Sequence, residues 1–140
     1  MAKGLKSLIR LNEWKVDENR RVLGEKLAEV AAAEDAITAL EEELVLEQTT
    51  AEQAPQEAGL FYGVYANGVI VRREEYQAEL EQKESQVLVA QDVLNKSYRE
   101  LKKFEILHKE REKREQKERD KKEQDMLDEL GLQGFQKNLD

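Results

Sequence analysis

The sequence predicts an all-α protein, a long antiparallel two-helix coiled coil with a projecting C-terminal helix. Three observations carry that prediction. Aliphatic residues recur every seventh position from Ile9 to Leu44, a second such row runs from Leu80 to Leu101, and a breaker-rich stretch separates them. A strict seven-residue repeat keeps one seam of an α-helix facing one partner. Two matched stripes joined by a connection fold most simply as a helical hairpin, each burying the other.

The first helix is expected over about residues 4–50. Its row a is Ile9, Val16, Leu23, Val30, Ile37 and Leu44, and its row d is Leu5, Asn12, Asn19, Lys26, Ala33 and Leu40. Row d therefore carries two Asn and a Lys where a strong dimer would carry Leu. So thin a stripe cannot bury itself and needs a second helix. Gly24 is the only weak helix former inside the repeat.

A loop is expected over about residues 51–71. This stretch holds the only Pro, Gly59, Gly63 and Gly68, the turn-forming Asn67-Gly68 pair, and Phe61, Tyr62 and Tyr65. Val69-Ile70-Val71 would suit a short strand, so a small hairpin is the alternative. The aromatics are expected to plug the tip where the helices part, or to dock a partner there.

Helix 2 is expected over about residues 72–130. Leu80, Val87, Leu94, Leu101 and finally His108 form its row a, and Tyr76, Lys83, Ala90, Ser97 and Phe104 its row d. Centring the turn in the 51–71 loop sets Leu44 against Leu80 and Val30 against Leu94. From Lys109 to Asp125 there is no apolar residue. Glu110–Arg114, Glu115–Arg119 and Glu118–Lys122 are spaced as i,i+4 pairs that would keep a solvated helix intact. Helix 1 has no residues left to cover this stretch, so helix 2 is expected to project. Met126, Leu127 and Leu130 make one apolar face beyond it, and residues 131–140 are expected to fray.

Composition narrows the function. Charged residues make up 39% of the 140 residues, in a single coiled-coil domain without the makings of a compact core. There is no Cys, which excludes thiolate metal sites and fits a reducing compartment. No apolar run approaches the roughly 18 residues of a membrane span. The N-terminus has no signal-peptide pattern, and a cytoplasmic location is expected. A net charge of −8 disfavours nucleic acid, so an RNA-binding helical hairpin is a poor fit. There is no phosphate loop, GxSxG or HExxH, and the single His, His108, cannot build a multi-His metal site or a catalytic triad within one chain. No enzyme, metal or cofactor is expected. Leu11 and Trp14, one turn apart and off the seam, are candidates for partner docking.

The opening LKSLIRLNEWKVDENRRVLGEKLAEV, with Asp17, Glu18, Asn19, Arg20 and Arg21, resembles the flagellar FliJ family. So do YANGVIVRRE and the EQ-x-x-x-DE pattern of Glu123, Gln124, Asp128 and Glu129. The likeness covers nearly the whole chain and departs at its end, where Gly131, Gly134 and Phe135 stand in place of basic residues. It implies an antiparallel coiled-coil stalk of the flagellar type III export apparatus, peripheral to the membrane-embedded machine. It further implies insertion into the export ATPase hexamer, a link to the export gate protein and the handling of export chaperones. The expected partner-binding residues are Leu11, Trp14, Arg20, Arg21, Glu123, Gln124, Leu127, Asp128, Glu129 and Leu130. Two rivals are the equivalent stalk of a virulence-type secretion system and a generic coiled-coil scaffold that associates with itself.

Overall fold

The computed structural model describes residues 2–53 and 56–139, with side chains placed for 4–53 and 61–138. Two α-helices account for nearly all of them: α1 (Ala2–Glu52) and α2 (Gln56–Leu139). The two pack against each other, and there is no strand among the described residues. Gln53 N–H donates to the Thr50 carbonyl at 3.2 Å, closing the last turn of α1.

Hydroxyl side chains inside the helices bond back to their own backbone. Thr38, Thr49, Thr50 and Ser85 each donate to the carbonyl four residues earlier, at 2.9–3.2 Å. Such bonds satisfy residues that would otherwise favour turns.

The molecule divides into two compact units. Unit 2 is Lys15–Ser97, and unit 1 combines Met1–Trp14 with Tyr98–Asp140.

In unit 2 the helices run antiparallel. Glu29 meets Lys83, and further along α1 Glu43 meets Arg72 lower on α2. The core is a single seam: Val16, Leu40, Val69, Leu80, Ala90 and Leu94 are buried, with Leu23, Val30, Ile37, Leu44, Tyr76 and Val87 half-buried. Its middle is polar. Lys26 and Lys83, both row d, place their ammonium groups 3.5 and 3.6 Å from the same Glu29 Oε2. A carboxylate shared between two half-buried cations offsets their desolvation, and it fixes the register because a slide of one heptad would separate Lys83 from Glu29.

In unit 1 the buried residues are Leu5 and Asn12. Leu101, Phe104 and His108 are half-buried. Asn12, only 4% exposed, donates from its amide to the Leu8 carbonyl at 2.7 Å, so the buried polar group is satisfied within its own helix. His108 Nε2 lies 3.0 Å from a Glu112 carboxylate oxygen.

Every row a and row d residue expected from Leu5 to Leu44 and from Tyr76 to His108 is buried or half-buried. Four other expectations are corrected. The 51–71 loop does not form: α2 begins at Gln56, and Phe61, Tyr62, Tyr65, Asn67-Gly68 and Val69–Val71 are all helical. The reason lies in row d, which extends seven residues at a time from Tyr76 back to Val69 and Tyr62. Gly63 and Gly68 cost the helix about 1 kcal/mol each relative to Ala. Seating Val69, which is 1% exposed and the most buried side chain described, contributes about 1.5–3 kcal/mol, and Tyr62 and Tyr65 add to it.

The register is corrected with the turn. Glu29 lies at Lys83 and Glu43 at Arg72, so Val30 does not face Leu94 and Leu44 does not face Leu80. Moving the apex of a hairpin toward its N-terminus shifts every partner on the second helix by twice the displacement. Here the result exceeds one heptad.

The tail is helical through Leu139, across Gly131 and Gly134, rather than ending near residue 130. Asp140 lies outside the described residues. Finally, the Glu110–Arg114, Glu115–Arg119 and Glu118–Lys122 pairs are open. The bonds in that stretch run from Gln116 to Asp120 at 2.9 Å and from Arg119 to Gln116 at 3.1 Å. Water competes effectively for long charged side chains on a fully exposed helix.

Candidate interaction surface

Among the described residues no group of three or more His, Cys, Asp or Glu is arranged to hold a metal, and no helix is long and apolar enough to cross a membrane. What the molecule offers is surface, and it divides between the two units.

In unit 1 the α1 residues Leu11 and Trp14 point away from the seam, Trp14 being 61% exposed. Leu8, one turn before Leu11, is also exposed and lengthens the apolar strip. On α2 every described side chain from 109 to 138 is exposed. Within that span Leu127 and Leu130 are 57% and 59% exposed, and Met126 adjoins them on the same face. Glu123, Gln124, Asp128 and Glu129 surround the apolar pair. Gln124 donates its side-chain amide to Asp128 at 3.1 Å, one turn on, which orders one edge of the patch. No polar contact among the described residues joins Leu11 and Trp14 to this segment.

Arg20 and Arg21 belong to unit 2. Arg21 is held by two carboxylates of its own helix. It donates to Glu18 at 2.6 and 3.0 Å, and it also pairs with Glu25. The hydrogen bond from Arg21 lowers the Glu18 carboxyl below its ordinary range, and the same bond raises the guanidinium. Arg20 lies 3.8 Å from Asp17. Both guanidinium groups are more than half exposed. They are presented to solvent in set positions.

One feature escaped sequence reasoning, and a second, at the aromatic tip, is wider than expected. The first is a groove on the flank of unit 2, of about 430 Å³, where Val22 of α1 opposes Val89 and Val93 of α2. Its only sequence signal was the i,i+4 spacing of Val89 and Val93 off the seam. The groove depends on register, which the repeat alone left unspecified. The other is the crowd of exposed apolar side chains flanking the turn, with Val45 and Leu46 on α1 and Phe61, Val64, Ile70 and Val71 on α2. Beneath them the Tyr65 hydroxyl is shut away from solvent. Desolvation first, and then the neighbouring Glu43 carboxylate, push its pKa above the ordinary phenol value.

Helices with a polar seam and clustered exposed anchors suit a protein that works by contact. No curated relative and no solved structure matches the chain. The family described as flagellar FliJ protein matches residues 1–140, the whole chain. The chain therefore belongs to the flagellar FliJ family, which makes it a component of the flagellar export apparatus.

Proposed function

We propose that the chain is a non-enzymatic stalk and adaptor of the flagellar protein export machine. In this reading its C-terminal helix engages the export ATPase ring, and its other faces reach the export gate and export chaperones. The observation that carries it is the run from Lys109 to Asp125, without a single apolar residue, followed by the exposed Met126, Leu127 and Leu130. These residues contribute nothing to a hairpin seam, and a helical stretch of that length spans about 25 Å. A charged shaft that ends in apolar anchors suits entry into the bore of a ring, where Leu127 and Leu130 fix position and Glu123, Gln124, Asp128 and Glu129 set orientation. Leu11, Trp14, Arg20 and Arg21 are the proposed contacts for gate or chaperone. A location at the cytoplasmic side of the export apparatus belongs to the same proposal. The flagellar family match favours this reading over the virulence-type stalk.

The test is a chain stopped after Glu115. Every described buried or half-buried residue precedes that point, so its melting temperature stays close to that of the full chain. Binding to the export ATPase, and stimulation of its hexamer formation, are lost. If the truncated hairpin binds and stimulates fully, the C-terminal helix is not the contact.

A further inference from the structure

Two exposed faces of this chain carry the same residue spacing with opposite charge. On α1, Thr38, Glu41, Glu42, Val45 and Leu46 line a shallow depression of about 490 Å³. On α2, Arg99, Lys102, Lys103, Ile106 and Leu107 line one of about 480 Å³. In each, two like charges sit one turn before two aliphatics: Glu41 and Glu42 before Val45 and Leu46, Lys102 and Lys103 before Ile106 and Leu107. All four aliphatics are exposed. Among the described residues no hydrogen bond or ion pair engages Glu41, Glu42, Lys102 or Lys103. Lys103 also faces Arg99 at i,i+4, where like charges destabilise a helix.

We propose that these faces dock on each other between two copies of this chain, α1 of one copy lying parallel to α2 of the second. Only the parallel direction sets both carboxylates against both ammonium groups while Val45 and Leu46 meet Ile106 and Leu107. The antiparallel direction would set charge against aliphatic at each end. The occupant of the acidic face is therefore a basic-then-aliphatic helix, and this chain carries one at matched spacing. The aliphatics supply the area removed from water, and the charges select direction and partner. Burial of Val45 and Leu46, which the hairpin itself leaves in water, is the driving term. The interaction is independent of the export ATPase, so its failure would leave the stalk reading untouched.

Sedimentation velocity of the full chain over a range of concentrations tests this. Reversible self-association is expected, weakening as salt is raised. Glu41→Lys with Glu42→Lys raises the dissociation constant by about ten- to a hundredfold, and so does Lys102→Glu with Lys103→Glu. The chain carrying all four reversals associates again, and an equimolar mixture of the two double variants forms a mixed species. Circular dichroism shows that each variant remains helical. A chain monomeric at every concentration overturns the proposal. So does self-association that both double variants leave unchanged, or a fourfold variant that stays as dissociated as the doubles.

Discussion

Glu29 offers the sharpest test of how the hairpin register is fixed. One of its oxygens lies 3.5 Å from Lys26 and 3.6 Å from Lys83, one lysine from each helix. At an effective dielectric of about 20, each contact is worth about 4–5 kcal/mol before desolvation. The lysine side chains are 32% and 27% exposed and the glutamate 40%, so solvent screens much of this. Exposed pairs contribute about 0.2–1 kcal/mol, while breaking fully buried ones costs about 3–5 kcal/mol. Glu29→Gln leaves two half-buried ammonium groups facing each other, and a cost of about 2 kcal/mol follows from the position between those limits. For a chain of this size that lowers the melting temperature by about 6–10 °C. The assay is urea and thermal unfolding followed by helical dichroism, run as a double-mutant cycle with Lys83→Met. In the Lys83→Met background Glu29→Gln should cost about half as much, a coupling of about 1 kcal/mol. If the two substitutions were additive within about 0.3 kcal/mol, Glu29 and Lys83 would not be partners, and the register argued from them would fall.

Three further outcomes are expected. Val69→Asp should cost several kcal/mol, read as a steep fall in melting temperature, whereas Phe61→Asp, on an exposed face of the same helix, should barely move it; equal effects would restore a loop at 51–71. Asn12→Leu should raise the melting temperature by a few degrees, because it replaces a buried amide on the seam with an aliphatic, worth about 1 kcal/mol, at the expense of register specificity; a fall would show that the bond to the Leu8 carbonyl matters more than the apolar fit. The third concerns pH. Because the folded Glu18 carboxyl titrates below its ordinary value, its contribution is fully present above that value and is lost as pH falls through the lowered one. NMR titration of Arg21→Gln should return Glu18 to the ordinary range, and an unchanged titration would assign the shift to something other than Arg21.

The sequence by itself determined the helical class, both seams and the silence of residues 109–125. Each of these follows from period and composition: an aliphatic every seventh residue has one face to bury, and a stretch without apolar side chains has none. Candidate anchors such as Trp14, Leu127 and Leu130 were legible for the same reason, since residues off the repeat stay exposed whichever way the helices meet. Tertiary structure decided where the chain turns. Local signals at Gly63 and Asn67-Gly68 argued for a loop and Val69–Val71 for a short strand, and the burial of Val69 and the tyrosines outweighed them. That energy exists only once α1 lies alongside, so no local reading of the glycines could include it. The register followed from the turn, and the Val22–Val89–Val93 groove followed from the register. A heptad repeat fits equally well after a slide of seven residues, so the choice was left to contacts that do not repeat: Glu29 between Lys26 and Lys83, and Glu43 against Arg72.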